Sequence, residues 1–250
     1  MRIRFGAREF APRAFTTVLA LVVFAALVAL GRWQLRRAAE SQRLWDRFAA
    51  GTDATLAIDA STPRVARFRH VTLSGRYDAS RQILIDGMES PDGRNGYLVL
   101  TPFELAGGGW ILVDRGWVPV GASPRDKPAV PVSGATRTVR GRVDELPRPG
   151  IRLGGGAPLR PPFPVVAVYP RLADIAALLH IENWVRAAPQ VLLDPDQPDG
   201  YLRHWTPPGF APMRHTAYAV QWFGLALALA VIYVVTNLRR IDAGEGRTRD

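Results

Sequence analysis

The chain has 250 residues, 48% of them hydrophobic, a formal net charge of +10 and no cysteine. That length holds one sizeable domain or two small ones, and the lack of cysteine excludes a disulfide scaffold, a thiolate metal site and a thiol nucleophile. The basic balance does not read as nucleic-acid binding, because Lys127 is the only lysine and the arginines are scattered instead of clustered with stacking aromatics.

Residues 1–13 form a basic tail carrying Arg2, Arg4, Arg8 and Arg13, and residues 14–31 then carry no charge at all. At a rise of about 1.5 Å per residue, a helix of that length covers roughly the 30 Å of a hydrocarbon core. A helix is also the only way a single segment satisfies its own backbone in lipid. A cleaved signal peptide is the alternative. The apolar run exceeds the usual signal core of about 7–15 residues, and Leu30 followed by Arg32 and Trp33 favours an uncut anchor.

Beyond the first span, expected over residues 14–32, the helical pattern continues as a stalk over 33–50. Leu44, Trp45 and Phe48 form one apolar face there, and Gly51 is the expected stop. From Phe68 the period changes to two. Val71, Leu73 and Tyr77 alternate with His70, Thr72 and Arg76, the pattern of a half-buried strand over 68–77. Further strands are expected over 82–86, 97–105, 110–118, 136–143, 165–169 and 190–193, with a helix over 172–179. Asp86-Gly87, Pro91-Asp92-Gly93, Asn95-Gly96 and Gly107-Gly108-Gly109 are expected turns, and the Pro- and Gly-rich stretch 147–164 a loop. Gly116, inside a strand, marks a bulge or a close backbone approach. The β-rich domain spans 51–200 and a linker 201–215.

A second uncharged stretch, 216–238, follows, and then a basic tail over 239–250 with Arg239, Arg240, Arg247 and Arg249. Two spans put both tails on one side, and the positive-inside rule makes that side the cytoplasm. Anionic lipid headgroups are the expected counter-charge of Arg239 and Arg240. The expected fold is thus an α+β membrane protein. Two transmembrane helices flank a mainly antiparallel β domain, a sheet or open barrel, outside the cytoplasm.

For chemistry, the four histidines come first. His70 falls on the polar side of a strand, His180 at a helix end and His204 in a Pro-rich stretch, all structural or exposed readings. His215 stands where the second span begins, and His215, Tyr218 and Trp222 recur at i, i+3 and i+7 on one helix face. A neutral imidazole there can ligate haem iron, with the aromatics beside a macrocycle. An interfacial aromatic belt accounts for the same residues. Asp86, Glu104, Asp114, Asp144 and Glu145 could supply a carboxylate pair for hydrolysis. No G-x-S-x-G, H-E-x-x-H or S-x-x-K occurs, nor any nucleotide-binding loop, and neighbouring Asp114 and Arg115 must point to opposite faces of their strand.

Several segments together resemble the surfeit locus protein 1 family. They are Leu30-Gly-Arg-Trp-Gln-Leu-Arg-Arg37, Arg69-His-Val-Thr-Leu-Ser-Gly-Arg-Tyr77, Gly96-Tyr-Leu-Val-Leu-Thr-Pro-Phe103, Ile111-Leu-Val-Asp-Arg-Gly-Trp-Val-Pro119 and His215-Thr-Ala-Tyr-Ala-Val-Gln-Trp-Phe223. Their order and their position relative to both spans agree over nearly the whole chain, and the last segment is similar to bacterial members. The resemblance implies a non-enzymatic factor in the bacterial inner membrane, with its central domain periplasmic. Such a factor assists assembly of cytochrome c oxidase by helping haem A reach the catalytic subunit. It implies haem A as a transient cofactor, with His215 as iron ligand beside Tyr218 and Trp222. The implied partners are the oxidase subunits, above all the haem-bearing one, together with haem A synthase and the lipid bilayer. A protein-interaction scaffold that binds no haem is the alternative.

Overall fold

The computed structural model describes residues 3–5, 8–10, 12–50, 55–121, 126–148 and 158–240. The expected helix stop at Gly51 and much of the 147–164 loop lie outside them. The chain divides into two compact units, one of Met1–Asp46 with Pro208–Asp250 and one of Arg47–Pro207.

In the first unit, short strands β1 (Ile3–Phe5) and β2 (Arg8–Phe10) lead into helix α1 (Ala14–Ala50), and helix α3 (Pro212–Asn237) is followed by strand β11 (Leu238–Arg240). The three strands form a small antiparallel sheet in the order β1-β2-β11. At 37 residues α1 is about 56 Å long, so span and stalk are one unbroken helix. Both helices are long and apolar enough to cross a membrane, with only 6% and 11% of their most apolar windows buried. A core helix of a soluble protein would hide most of that surface, so these helices are built to be covered by lipid. The less exposed positions on α1 include Thr17, Ala20, Leu27, Gly31, Gln34, Ala38 and Ser41, and those on α3 His215, Ala219, Trp222, Ala226, Leu229 and Tyr233. Steps of three and four, with one of seven between Ala20 and Leu27, are the seam of two helices packed along their length. Thr17 and Tyr233 share a hydroxyl hydrogen bond of 2.7 Å, the Phe223 ring lies against Gly31, and Ser41 donates to the Phe210 carbonyl at 2.7 Å.

The second unit contains strands β3 (Leu56–Ile58), β4 (His70–Tyr77), β5 (Ile83–Glu89), β6 (Asn95–Leu105), β7 (Trp110–Pro119), β8 (Arg137–Asp144) and β9 (Val165–Ala167), helix α2 (Leu172–Leu179) and strand β10 (Gln190–Leu193). The pairing β4-β8-β10-β7-β6 returns to β4 through Gly75↔Leu105, Arg76↔Glu104 and Tyr77↔Phe103. Five strands therefore form a closed ring, not an open one, with β3 added to β4, β5 to β6 and β9 to β5. Within the ring every pairing is antiparallel except β7 with β10. The alternation read in β4 holds, with Val71, Leu73, Gly75 and Tyr77 buried. They meet Phe103, Val113, Val139, Val143, Val191 and Leu193 in the barrel interior. A second core lies outside the ring, where Ile175 and Leu179 of α2 cover Ile83, Ile85, Leu100 and Leu112. β7 is consequently buried on both faces over Ile111–Val118.

Local chemistry moved several boundaries. Phe68 takes a positive φ of 72°, so β4 starts only at His70. Gly87, expected in a turn, supplies the φ of 76° at an irregularity between Ile85 and Met88 inside β5. The hairpin turns at Ser90–Arg94, around the expected Pro91-Asp92-Gly93 turn, whereas Asn95-Gly96 is not a turn but opens β6. The expected linker 201–215 splits: Leu202 exchanges backbone hydrogen bonds with Trp117, and α3 begins at Pro212.

Candidate functional site

His215 lies in the first turn of α3, which has a proline in its opening positions and no side-chain cap. Its Nδ1 is 2.9 Å from Oε1 of Gln34 on α1. With the amide oxygen facing the ring, Nδ1 carries the hydrogen and donates it, and in the neutral imidazole this tautomer leaves the lone pair on Nε2. An acceptor placed behind a ligating histidine in this way fixes both its tautomer and its ring plane. The Phe210 ring stands edge-on to the imidazole, centroids 6.1 Å apart, and the Arg214 guanidinium lies 4.0 Å over Phe210. By helical geometry Trp222 is offset about 20° from His215 around α3, and Tyr218 about 60° in the same sense, farther from the seam. Accordingly Trp222 is half-buried and Tyr218 39% exposed. The donor set suits one axial position on a planar macrocycle, a single imidazole with aromatic neighbours. Among the described residues no three His, Asp or Glu gather as a metal-ion cluster.

Gln34 belongs to the Trp-Gln segment after the first span, but its role was not readable there, because its partner is 181 residues away.

His70 and His180 have structural tasks. His70 Nε2 accepts from the Arg142 guanidinium at 2.9 Å, and Nδ1 is 3.5 Å from Asp194. Arg142 in turn donates to the Phe48 carbonyl at 2.8 Å and stacks 3.7 Å over its ring. His180 ends α2 in the left-handed conformation, and His204 is exposed. The carboxylates read as a hydrolytic pair are mostly taken up by ion pairs, Glu104 with Arg76, Asp144 with Arg67, and Glu145 with Arg64 and Arg148.

Asp114 and Arg115 do face opposite ways, and both are fully buried. Leu98↔Trp117 and Leu100↔Asp114 leave Val99 opposite two residues, Arg115 and Gly116, a bulge in which Gly116 takes a φ of 106°. A Cβ there would also lie 2.7 Å from the Leu202 carbonyl oxygen, so Gly116 answers both to the bulge and to the close approach. Arg115 turns to one end of the barrel. It donates to the carbonyls of Asp199 (2.7 Å) and Pro131 (2.7 Å) and to Gln82 Oε1 (2.8 Å). Burial pulls its pKa down, opposed by Tyr201 and Tyr77. Tyr77, buried beside Arg115, Arg137 and Arg203, is pushed up to about 12 by desolvation despite those charges. On the outer face Asp114 Oδ1 accepts the Gly116 N–H at 3.0 Å, whereas Oδ2 has no partner among the described residues. Burial pushes this carboxyl up to about 7, against the Gly116 hydrogen bond and with the help of the Asp144 charge.

The sequence profile of the SURF1 family matches residues 21–227. The chain is 26% identical over 226 residues to a SURF1-like protein of Rickettsia felis, covering 88% of this chain and 96% of that one. It is 32% identical over 179 residues to an uncharacterised SURF1-like protein of Mycobacterium bovis, covering 70% of this chain and 62% of that one. With surfeit locus protein 1 of Takifugu rubripes the identity is 32% over 117 residues, 40% of this chain and 49% of the fish protein. With both apolar helices, the barrel and the His215 segment inside or bordering the matched stretch, this chain belongs to the SURF1 family.

Proposed function

We propose that this chain is a membrane-anchored, non-enzymatic assembly factor for a haem-copper (cytochrome c) oxidase, and that it holds haem A at His215 on the way to the catalytic subunit. The observation that carries the reading is the Gln34–His215 hydrogen bond, which orients the ring and leaves Nε2 free to ligate. Bound there, haem would supply an iron centre; the chain's own part is to present the one imidazole that would hold it and to keep that ring from turning. One amide-held ligand suits a site that must release its cargo. Tyr218 and Trp222 would lie beside the macrocycle, and the haem-bearing subunit and haem A synthase are the natural partners.

The test is the visible spectrum of the chain purified after co-expression with haem A synthesis. His215→Ala is expected to lose the haem bands while still inserting and folding. Gln34→Leu, which removes only the orienting acceptor, is expected to weaken haem affinity about 10–100-fold. Full haem content in His215→Ala would sink this reading and leave the scaffold without haem.

We further propose that both termini are cytoplasmic and the barrel is exported, on the strength of the two basic tails. Gly93 lies in the exposed turn between β5 and β6, so a reporter inserted there should leave the fold intact. Alkaline phosphatase at Gly93 is expected to be active and a green fluorescent protein dark; the opposite pair of results would invert the topology.

A further inference from the structure

Strand β9 ends the eight-stranded sheet, with β5 on one side and no strand on the other among the described residues. It runs parallel to β5 in the register Ile83↔Val165, Leu84↔Val166, Ile85↔Ala167, and Val165 donates to the Gln82 carbonyl at 3.0 Å. A parallel ladder engages alternate residues of an edge strand. Val165 and Ala167 therefore turn their backbone groups to β5, and Val166 turns its N–H and C=O to the open side. Exposed edges are normally blunted by a charge, a proline or a covering element; here the next residue, Val168, is a 63% exposed apolar side chain.

Beside this edge lies a surface hollow of about 950 Å³ between β9 and α2, with Leu159, Val168 and Leu178 among its walls. Among the described residues, Lys127, Arg160 and Arg171 line it against a single carboxylate, Asp174. Asp174 is engaged by Arg171 at 2.7 Å. The Lys127 ammonium reaches only the carbonyls of Pro162 and Pro164, at 3.0 and 2.7 Å, and neither it nor Arg160 has a carboxylate partner among the described residues.

We propose that an extended acidic segment of a partner protein adds to β9 as a further strand, pairing its backbone with Val166 and setting its carboxylates against Lys127 and Arg160. Strand addition gives affinity through main-chain hydrogen bonds, and charge complementarity selects the partner. The charge also argues against a second copy, because two such rims would bring like charges together. A lipid headgroup would answer the cations but would leave the strand edge unused. The proposal does not depend on His215.

The test uses the full chain in neutral detergent and a short fluorescein-labelled peptide alternating Glu with Val and Thr, read by fluorescence anisotropy at low salt. Saturable binding is expected, with none for the peptide bearing Lys in place of Glu. Arg160→Glu combined with Lys127→Glu should weaken binding about tenfold or more, because two attractive exposed pairs become repulsive. Val166→Pro should abolish it, because proline removes the outward N–H that the added strand would engage, whereas the edge strand itself tolerates proline at such a position. Folding of that variant is checked by circular dichroism, and the charge-reversed variant, altered only at the rim, keeps the test decisive if it misfolds. Equal binding of the two peptides, or undiminished binding after charge reversal or in folded Val166→Pro, would overturn the proposal. Preference for phosphatidylglycerol vesicles unaffected by Val166→Pro would hand the rim to lipid. A dimer dissolved by Val166→Pro would hand the edge to a second copy.

Discussion

Asp114→Asn is expected to be spared a loss of stability that the parent chain suffers steadily between about pH 4 and pH 7 as Asp114 ionises. The Asp114 carboxyl is fully buried, and its pKa rises from 3.8 to about 7, chiefly through desolvation. Between those two values the native state holds one proton more than the unfolded chain. Stability then falls as pH rises: the contribution is complete below 3.8 and is lost as pH climbs through about 7. The span corresponds to roughly 4 kcal/mol, at about 1.36 kcal/mol per pKa unit, a large share of the 5–15 kcal/mol or so typical of a folded domain. Asparagine is nearly isosteric and keeps an oxygen for the Gly116 N–H, but it has no proton to lose. At pH 4 the variant should be equal to or slightly below the parent, because its amide hydrogens replace one hydroxyl at the place where Oδ2 has no partner. Urea unfolding of the detergent-solubilised chain across this pH range measures the difference. Curves that run parallel for the two proteins would mean that Asp114 is ionised in the folded state.

The features that the sequence made legible are those whose physics is local. The two spans stand out because an uncharged run of that length has no other economical use, and the alternation in β4 is legible because one of its faces is wet. α2 shows its Leu172, Ile175 and Leu179 face at helical spacing. β7 is a strand buried on both faces, so its near-continuous apolar run gives no face to the barrel. Ring closure, the parallel placement of β10 and the meeting of Gln34 with His215 depend on partners far along the chain, and no local period encodes them. β3 is three residues long, too short for any period to register. The solitude of Asp114 was also hidden, because an ion pair and an orphan look alike until the neighbours are placed.

Gly75→Ala tests whether the barrel is closed where β4 passes from one neighbour to the other. Gly75 pairs with Arg137 on β8 and with Leu105 on β6, so at this residue β4 bonds on both sides. The hydrogen bonds from Ala106 N–H to the Ser74 carbonyl and from Asp78 N–H to the Pro102 carbonyl, both 2.8 Å, flank the seam. A Cβ on Gly75 would lie 1.9 Å from the Glu104 carbonyl oxygen and 2.8 Å from the Phe103 ring. The obstacle is backbone on the partner strand, so no rotamer change relieves it; β4 and β6 must separate. Separation wets Leu73, Tyr77 and Phe103, which are buried to 2% exposure or less. A loss of about 3 kcal/mol or more is expected, at or above the upper range for overpacking. Hydrogen exchange should rise first at the amides of the β4–β6 pairing, ahead of β7 and β10. Gly134→Ala is the control, since its Cβ would meet only the Tyr77 carbonyl at an ordinary 3.6 Å. If the two variants unfold at the same denaturant concentration, the β4–β6 seam is not what closes the domain, and the five strands behave as an open sheet.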